Sequence, residues 1–459
     1  MTQPLHPTRR DVLATLLAAG LAGCGGGTPD GPAAHEHAVA GRAAVKVRRG
    51  GPGLVVLEER FVSIHEQGPQ RQVVLLTPDW GVMGRYTAPA DWSIADAAAH
   101  PSGDVSVVLT QRKTVRLVRL DVRAVVVADQ PFTDAAAATD PYFDQGGVED
   151  PTSLQPYLMR DAARLAPVGE DLALVLRTGR NAVVAYRLAR ANTGWTTTWR
   201  TLVEPGSTAM GRFLSSGSFD TFGQLENHLR VHVDVAADGG LVVGVLGVSD
   251  HNAVLAAHAW HFGEPVSARN GVLITRLAAD GQRVGTTVVD TGQIAELHAL
   301  RWSAGEVAVA GRVRSAALPD GSGWNAFAAF AGPSALTAAP VLVDVDRGEV
   351  LFDIVHLQDH RWLACGAAGY VQNPAGASIS EVTTPLLVWI DAGSGQVDRL
   401  TAWADGPRQL QLRSLVADGK GPWLAAGVRN GPGTHSHDAD PLGLTADGFV
   451  HRAQRPPEG

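Results

Sequence analysis

The sequence predicts an all-β protein built from repeated four-stranded sheets, and three observations support this. In residues 227–284, short apolar or alternating runs are separated by the turns Asp238-Gly239 and Asp280-Gly281. Such a pattern is typical of antiparallel strands in tight hairpins, because these turns need positive φ. A similar apolar run occurs seven times along the chain. The 52 glycines and 27 prolines suit many short connections, and no long amphipathic helical pattern intervenes.

The repeated element is an apolar run that follows a glycine or a turn. Its copies start about 50 to 70 residues apart, at the long end of propeller-blade periods. They lie at 53–57, 103–109, 170–176, 240–244, 305–311, 361–366 and 422–427. Most follow an alternating strand, at 92–98, 158–165, 229–235, 297–302, 351–357 or 410–416. Most precede a third strand, at 115–120, 182–188, 272–277, 326–330, 386–390 or 442–444. A fourth strand is clearest at 341–345 and 397–400.

One such sheet cannot bury both of its apolar faces, so the copies must pack against one another. Closure into a ring also removes the unpaired sheet edges. We therefore expect a β-propeller of about seven four-stranded blades, with six or eight as alternatives, in a single domain at 50–459. The segment 448–452 is expected to pair with the N-terminal copy and close the ring. An open β-solenoid is the structural rival, but it would need shorter and more regular repeats.

The N-terminus predicts an export signal. Arg9 and Arg10 supply positive charge, and the apolar stretch at 12–22 is well short of the roughly 20 residues that span a bilayer. The segment Leu21-Ala22-Gly23-Cys24 resembles the bacterial lipobox, whose cysteine is diacylated and becomes the first mature residue. We expect a signal peptide at 1–23, a lipid on Cys24 and a flexible glycine-rich tether up to residue 49.

The export route and the final membrane follow from the same segment. Residues 8–13 are similar to a twin-arginine export motif, although Val12 and Ala14 depart from it, so the general pathway stays open. Lipoproteins retained in the inner membrane usually carry Asp after the lipidated cysteine, and here that position is Gly25. The resemblance implies an exported lipoprotein anchored in the outer membrane.

Charge and cysteine content argue against a nucleic-acid-binding protein and against an intramolecular disulfide. The formal net charge is -8, which argues against a nucleic-acid-binding surface. With Cys24 lipidated, Cys365 is the one remaining cysteine, so no intramolecular disulfide is available. The apolar neighbours of Cys365, at 362–366, indicate a packed strand residue rather than a reactive thiol.

A family resemblance supports the fold. Residues 218–223, 235–244 and 274–281 resemble the bacterial delta-60 repeat, in which strands end at Asp-Gly turns and an apolar run closes on glycine. The similarity is clear over 218–311, weaker in 351–450 and faint before residue 200. Such repeats resemble propellers of unassigned activity, so the resemblance implies the fold and leaves the chemistry open.

The most specific candidate for chemistry is a His- and Asp-containing segment near the C-terminus. His435 and His437 would project to one side of an extended strand, and Asp438 or Asp440 could complete a site for a divalent metal. The preceding 431–433 indicates an exposed loop, where these side chains would be solvated. We therefore predict no resident cofactor and keep a metal as the alternative.

The sequence contains none of the common hydrolase, zinc-protease, nucleotide-binding or haem-attachment motifs. The first functional hypothesis is an anchored propeller that binds a protein or glycan partner, or scaffolds an envelope assembly, through the loops 132–155, 204–226 and 431–441. The second is a metal-assisted hydrolase or lyase that acts on a polysaccharide in the central channel. The third is a purely structural lipoprotein. Charged residues from several blades converging in the channel would favour the enzyme.

Overall fold

Seven four-stranded antiparallel sheets, arranged as blades in a ring, contain all 28 strands of the described residues. This confirms the predicted seven-bladed propeller. The computed structural model describes residues 36–51, 53–60, 70–111, 114–133, 163–177, 183–204, 230–246, 271–293, 295–314, 324–332, 335–345, 348–369, 384–402, 409–417, 423–430 and 447–453. In these residues, no helix is long and apolar enough to cross a membrane.

The strands of each blade are given from the channel outwards. Blade 1 contains β2 (Ala43–Gly50), β3 (Gly53–Arg60), β4 (Gln70–Leu76) and β5 (Val82–Thr87). Blade 2 contains β6 (Ser93–Ala99), β7 (Val105–Gln111), β8 (Thr114–Leu120) and β9 (Val126–Phe132). Blade 3 contains β10 (Ala163–Val168), β11 (Asp171–Arg177), β12 (Val183–Ala191) and β13 (Gly194–Glu204). Blade 4 contains β14 (Val231–Val235), β15 (Leu241–Leu246), β16 (Gly271–Leu277) and β17 (Arg283–Asp290).

The remaining three blades follow the same plan. Blade 5 contains β18 (Ala295–Ser303), β19 (Glu306–Arg314), β20 (Trp324–Ala331) and β21 (Val341–Val343). Blade 6 contains β22 (Glu349–Gln358), β23 (Arg361–Ala368), β24 (Thr384–Asp391) and β25 (Gln396–Ala402). Blade 7 contains β26 (Gln409–Val416), β27 (Trp423–Asn430), β28 (Asp447–Ala453) and, outermost, β1 (Glu36–Val39).

The repeated apolar run of the sequence is the second strand of every blade. All six residues of β15 are buried, because neighbouring blades cover both faces of the sheet. The outer strand β17 of the same blade is mostly exposed. The core therefore lies between blades, and Cys365 and Trp362, both with no exposed surface, pack within it as predicted.

The ring closes through the N-terminal strand. β1 pairs with β28 in the register Glu36 to His451 and Val39 to Gly448, and the Arg429 guanidinium binds the Glu36 carboxylate. Residues 36–49 are therefore part of the ring, which corrects the domain start at residue 50 and the assignment of these residues to the tether. The third strand of blade 7 is β28, while its predicted position, 442–444, lies outside the described residues.

The glycine that ends the repeated run has a structural role. A Cβ atom added at Gly311, Gly366 or Gly427 would lie about 2 Å from a carbonyl oxygen of the inner strand, at 1.9, 1.8 and 2.1 Å respectively. Opposite each glycine the inner strand contains a β-bulge, at His298, Phe352 and Arg413. Because a bulge changes the direction of a side chain, the glycine permits a local geometry that reorients the bulged residue.

All inner strands begin on the same face of the ring, which we call the mouth face. Strands alternate in direction within a blade, so each outer strand ends on the face where the next inner strand begins. The three long connections expected to carry contacts join β9 to β10, β13 to β14 and β27 to β28. Their flanking strands end and begin on the mouth face, although most residues of the connections lie outside the described part of the chain.

Candidate binding site in the central channel

The inner strands surround the central channel, and neighbouring inner strands contact one another around the ring. Their outward edges pair with the second strands, whereas their other edges have no strand partner. Backbone amides on such an edge need other acceptors when they are buried. Polar and charged side chains of the inner strands supply them.

Asp353 on β22 connects four blades. Its Oδ2 atom accepts bonds from the Leu415 amide and the Ser414 hydroxyl of blade 7, both at 3.0 Å. Its Oδ1 atom lies 2.7 Å from Arg301 Nη2 of blade 5. Arg48 Nη1 of blade 1 lies 3.5 Å from Oδ2. This buried carboxylate, 6% exposed, therefore holds the inner strands of blades 5, 6, 7 and 1 in position.

Two other aspartates act in the same way. Asp96 on β6 accepts a bond from the Leu165 amide of blade 3 at 3.0 Å, and the Lys46 ammonium of blade 1 binds its other oxygen. Asp234 on β14 accepts a bond from the Trp302 amide of blade 5 at 2.8 Å. We call the six charged residues of this arrangement the channel ties: Lys46, Arg48, Asp96, Asp234, Arg301 and Asp353. They comprise three cations and three carboxylates, so their formal charges balance.

Asp353 and Asp96 are held in their ionised form by the cations of the channel ties. Burial acts to raise the pKa of Asp353, but the positive charges of Arg301 and Arg48 outweigh it, and the pKa lies below its usual value. Burial likewise opposes ionisation of Asp96, and the charge of Lys46 leads the effects that lower its pKa overall. Burial lowers the pKa of Lys46 to about 8. A general acid at neutral pH needs a raised carboxyl pKa, so these aspartates are suited to accepting hydrogen bonds.

The end of the channel at the mouth face has a different charge pattern. Three partly buried arginines of blades 3, 4 and 7, which we call the mouth arginines, lie on or beside the inner strands: Arg164 is the second residue of β10, Arg230 immediately precedes β14, and Arg413 is the bulged fifth residue of β26. In the described inner strands, the carboxylates at this end are both buried. Glu296, 2% exposed, pairs with Arg312, and Glu349 accepts a bond from the Val345 amide.

Contacts link the mouth residues from blade to blade. The Arg413 guanidinium lies over the Phe352 ring, 3.9 Å from its centroid. His298 contacts the same ring edge-to-face at 5.4 Å, and Arg230 Nη1 binds His298 Nδ1. The two bulged side chains His298 and Phe352 therefore connect Arg230 of blade 4 with Arg413 of blade 7.

The histidines report the positive potential of this region. Burial lowers the pKa of His298 to about 4, and the charge of Arg230 acts in the same direction. The pKa of His232 is lowered well below its usual value by burial and then by the charges of Arg164 and Arg230. Both histidines are neutral at pH 7. Because Arg164 and Arg230 both act on His232, the two arginines share one electrostatic environment.

The residues singled out from the sequence lie elsewhere. Arg9, Arg10, Cys24, His435, His437, Asp438 and Asp440 all fall outside the described residues. Among the residues that the structure describes, no group of three or more His, Cys, Asp or Glu side chains is arranged to hold a metal ion. Sequence reasoning missed the charged residues of the inner strands. The signal for part of this set is the glycine that ends the repeated run, because it lies opposite the inner-strand bulges at His298, Phe352 and Arg413.

Comparison with known proteins identifies no family for this chain. No protein-family model matches the chain, and no curated protein sequence matches it. Similar solved structures include YCF48 from Cyanidioschyzon merolae, at 12% identity and a TM-score of 0.46, covering 92% of this chain and 99% of that one. An inactive virginiamycin B lyase from Staphylococcus aureus with quinupristin shows 8% identity and a TM-score of 0.44, and the match covers 91% of this chain and 98% of that one. The phage phi92 endosialidase shows 11% identity and a TM-score of 0.43, and the match covers 92% of this chain and 70% of that one.

Proposed function

We propose that the protein is a lipid-anchored envelope protein whose propeller binds a protein or glycan partner through its mouth face. The observation that carries this proposal is the engagement of the channel carboxylates. Asp96, Asp234 and Asp353 each accept a bond from a backbone amide of a neighbouring blade. A carboxylate held in this way stabilises the ring, and the lowered pKa values of Asp96 and Asp353 leave these two groups ionised at neutral pH, so they support a binding surface better than an acid–base site.

The anchored location rests on the sequence pattern. Arg9 and Arg10 would direct export, and Cys24 would carry the lipid in the outer membrane. The described ring begins at Glu36, which leaves 25–35 as the spacer between lipid and propeller. This arrangement would place the long mouth-face connections, 132–155, 204–226 and 431–441, within reach of other envelope components.

Membrane fractionation tests the anchor, and retention of envelope components tests the binding role. Wild type should sediment with the membrane fraction and Cys24→Ala should become soluble; tight attachment of the variant would contradict lipidation. Immobilised wild type should retain a defined envelope component that Arg413→Gln loses and the exposed-surface control Arg116→Gln keeps. Equal retention by all three proteins would contradict binding through the mouth.

The second candidate is a metal-assisted hydrolase or lyase acting on a polysaccharide. One observation favours it: charged side chains from several blades do converge in the channel. His435, His437, Asp438 and Asp440 would then be the candidate ligands. Elemental analysis decides the point, because stoichiometric metal that disappears in His435→Ala/His437→Ala would favour the enzyme over the binding protein.

A further inference from the structure

The mouth contains two buried hydrogen-bond donors that lack an acceptor. Gln411, 1% exposed, uses its Oε1 atom to accept a bond from Arg413 Nη2 at 2.6 Å. Its Nε2 atom and the Nε atom of Arg413 are both buried, and neither has a hydrogen-bond partner among the described residues. A buried donor without an acceptor costs about 1–3 kcal/mol, so such a pair in one place indicates a site that an external acceptor completes.

Arg413 also has no carboxylate partner among the described residues, where its contacts are the Gln411 amide oxygen and the Phe352 ring. The carboxylates of the described inner strands at this end are already engaged, because Glu296 is held by Arg312 at 2.7 and 3.0 Å and Glu349 by a backbone amide. The Arg413 guanidinium can therefore pair with an acidic group of a ligand.

The geometry of Arg413 suits a planar, charged acceptor. Its guanidinium is fixed from one side by the Phe352 ring and at Nη2 by Gln411, which leaves its Nε edge oriented without a partner. A guanidinium held in this way presents parallel N–H groups that match the oxygens of a carboxylate or phosphate. Pre-orientation also reduces the entropy lost when a ligand binds.

We propose that Arg413 and Gln411 form a binding site for an oxyanion, the carboxylate or phosphate group of an acidic ligand. The group would accept bonds from Arg413 Nε and Gln411 Nε2. This inference rests on the proposed binding role and names the chemistry of the ligand at the same mouth.

Isothermal titration calorimetry of the purified full-length protein tests the proposal, with inorganic phosphate and citrate as separate probes at pH 7 and low salt. Wild type should bind at least one probe, and the probe that binds identifies phosphate or carboxylate as the source. Arg413→Gln should weaken binding by at least about tenfold. Arg413→Lys, which keeps the charge but loses the planar fork, should also weaken it.

The control is Arg116→Gln, which removes the same charge from an exposed pair with Asp129 and should change affinity by less than about twofold. Gln411→Leu provides a second variant if circular dichroism shows that Arg413→Gln does not fold, and it should weaken binding too. No binding of either probe by wild type, or equal weakening in Arg116→Gln, would overturn the inference. Retention of an envelope component that neither anion displaces would overturn it while leaving the proposed binding role intact.

Discussion

The channel ties and the mouth arginines occupy the same channel but use charge differently. In the ties, each aspartate has a cation or a backbone amide from another blade as its partner, and positive and negative charges balance. At the mouth, the buried Gln411 Nε2 and Arg413 Nε donors have no acceptor among the described residues. The difference separates two roles of polar groups in the channel: paired charges fix blade positions, whereas we propose that the unpaired donors recognise a ligand.

The largest expected effect is the loss of a channel tie. Asp353→Ala would leave Arg301 and Arg48 without their carboxylate and the Leu415 amide without its acceptor. Removing one partner of a buried ion pair costs about 3–5 kcal/mol, so the free energy of unfolding measured in urea should fall by that amount. The exposed-pair control Asp398→Ala should lose less than about 1 kcal/mol. A loss no larger than the control's would show that the ties do not hold the ring.

The second prediction concerns the pH dependence of stability, which differs between His298 at the mouth and the carboxylates of the channel ties. The pKa of His298 is lowered from 6.5 to about 4, so the unfolded chain takes up this proton first as the pH falls. Native stability should therefore decrease from pH 6.5 downwards until about pH 4. The pKa values of Asp96 and Asp353 are also lowered, but their stabilisation is present above about pH 3.8 and is lost only as the pH falls further.

Urea unfolding between pH 7 and 4.5 measures this difference. His298→Gln should remove about 2 to 3 kcal/mol of the acid-induced loss, while the part caused by His232 persists. His360→Gln, an exposed histidine in the turn after β22, should behave as wild type. An unchanged slope in His298→Gln would show that the mouth does not keep this imidazole neutral.

Much of the fold was predictable because the second strands are buried on both faces. Runs such as 240–244 are continuously apolar for that reason, and their spacing predicted about seven blades. The strand β2 was missed because Lys46 and Arg48 face the channel and make its sequence resemble a polar linker. Strand identity is encoded locally, whereas the direction in which a charged residue points depends on ring closure.

The candidate site itself was not predictable from the amino-acid sequence alone. Arg230 and Arg413 are far apart in sequence and are connected through the bulged residues His298 and Phe352. The glycines at 311, 366 and 427 were visible as the end of the repeated run, but their pairing with bulges requires the register of the sheet. A glycine at the end of the second strand is therefore a useful signal for a bulged residue on the preceding inner strand once the blades are aligned.

The most direct test of the central claim is the thermal midpoint of unfolding with millimolar phosphate or citrate, compared with chloride at equal ionic strength. A ligand that binds only the folded state stabilises it, by about 2.7 kcal/mol at a hundredfold excess over its dissociation constant. The midpoint of wild type and of Arg116→Gln should rise with at least one anion, and that of Arg413→Gln should not. A rise of the same size in all three proteins, or none in wild type, would contradict the division of the channel into structural ties and a binding mouth.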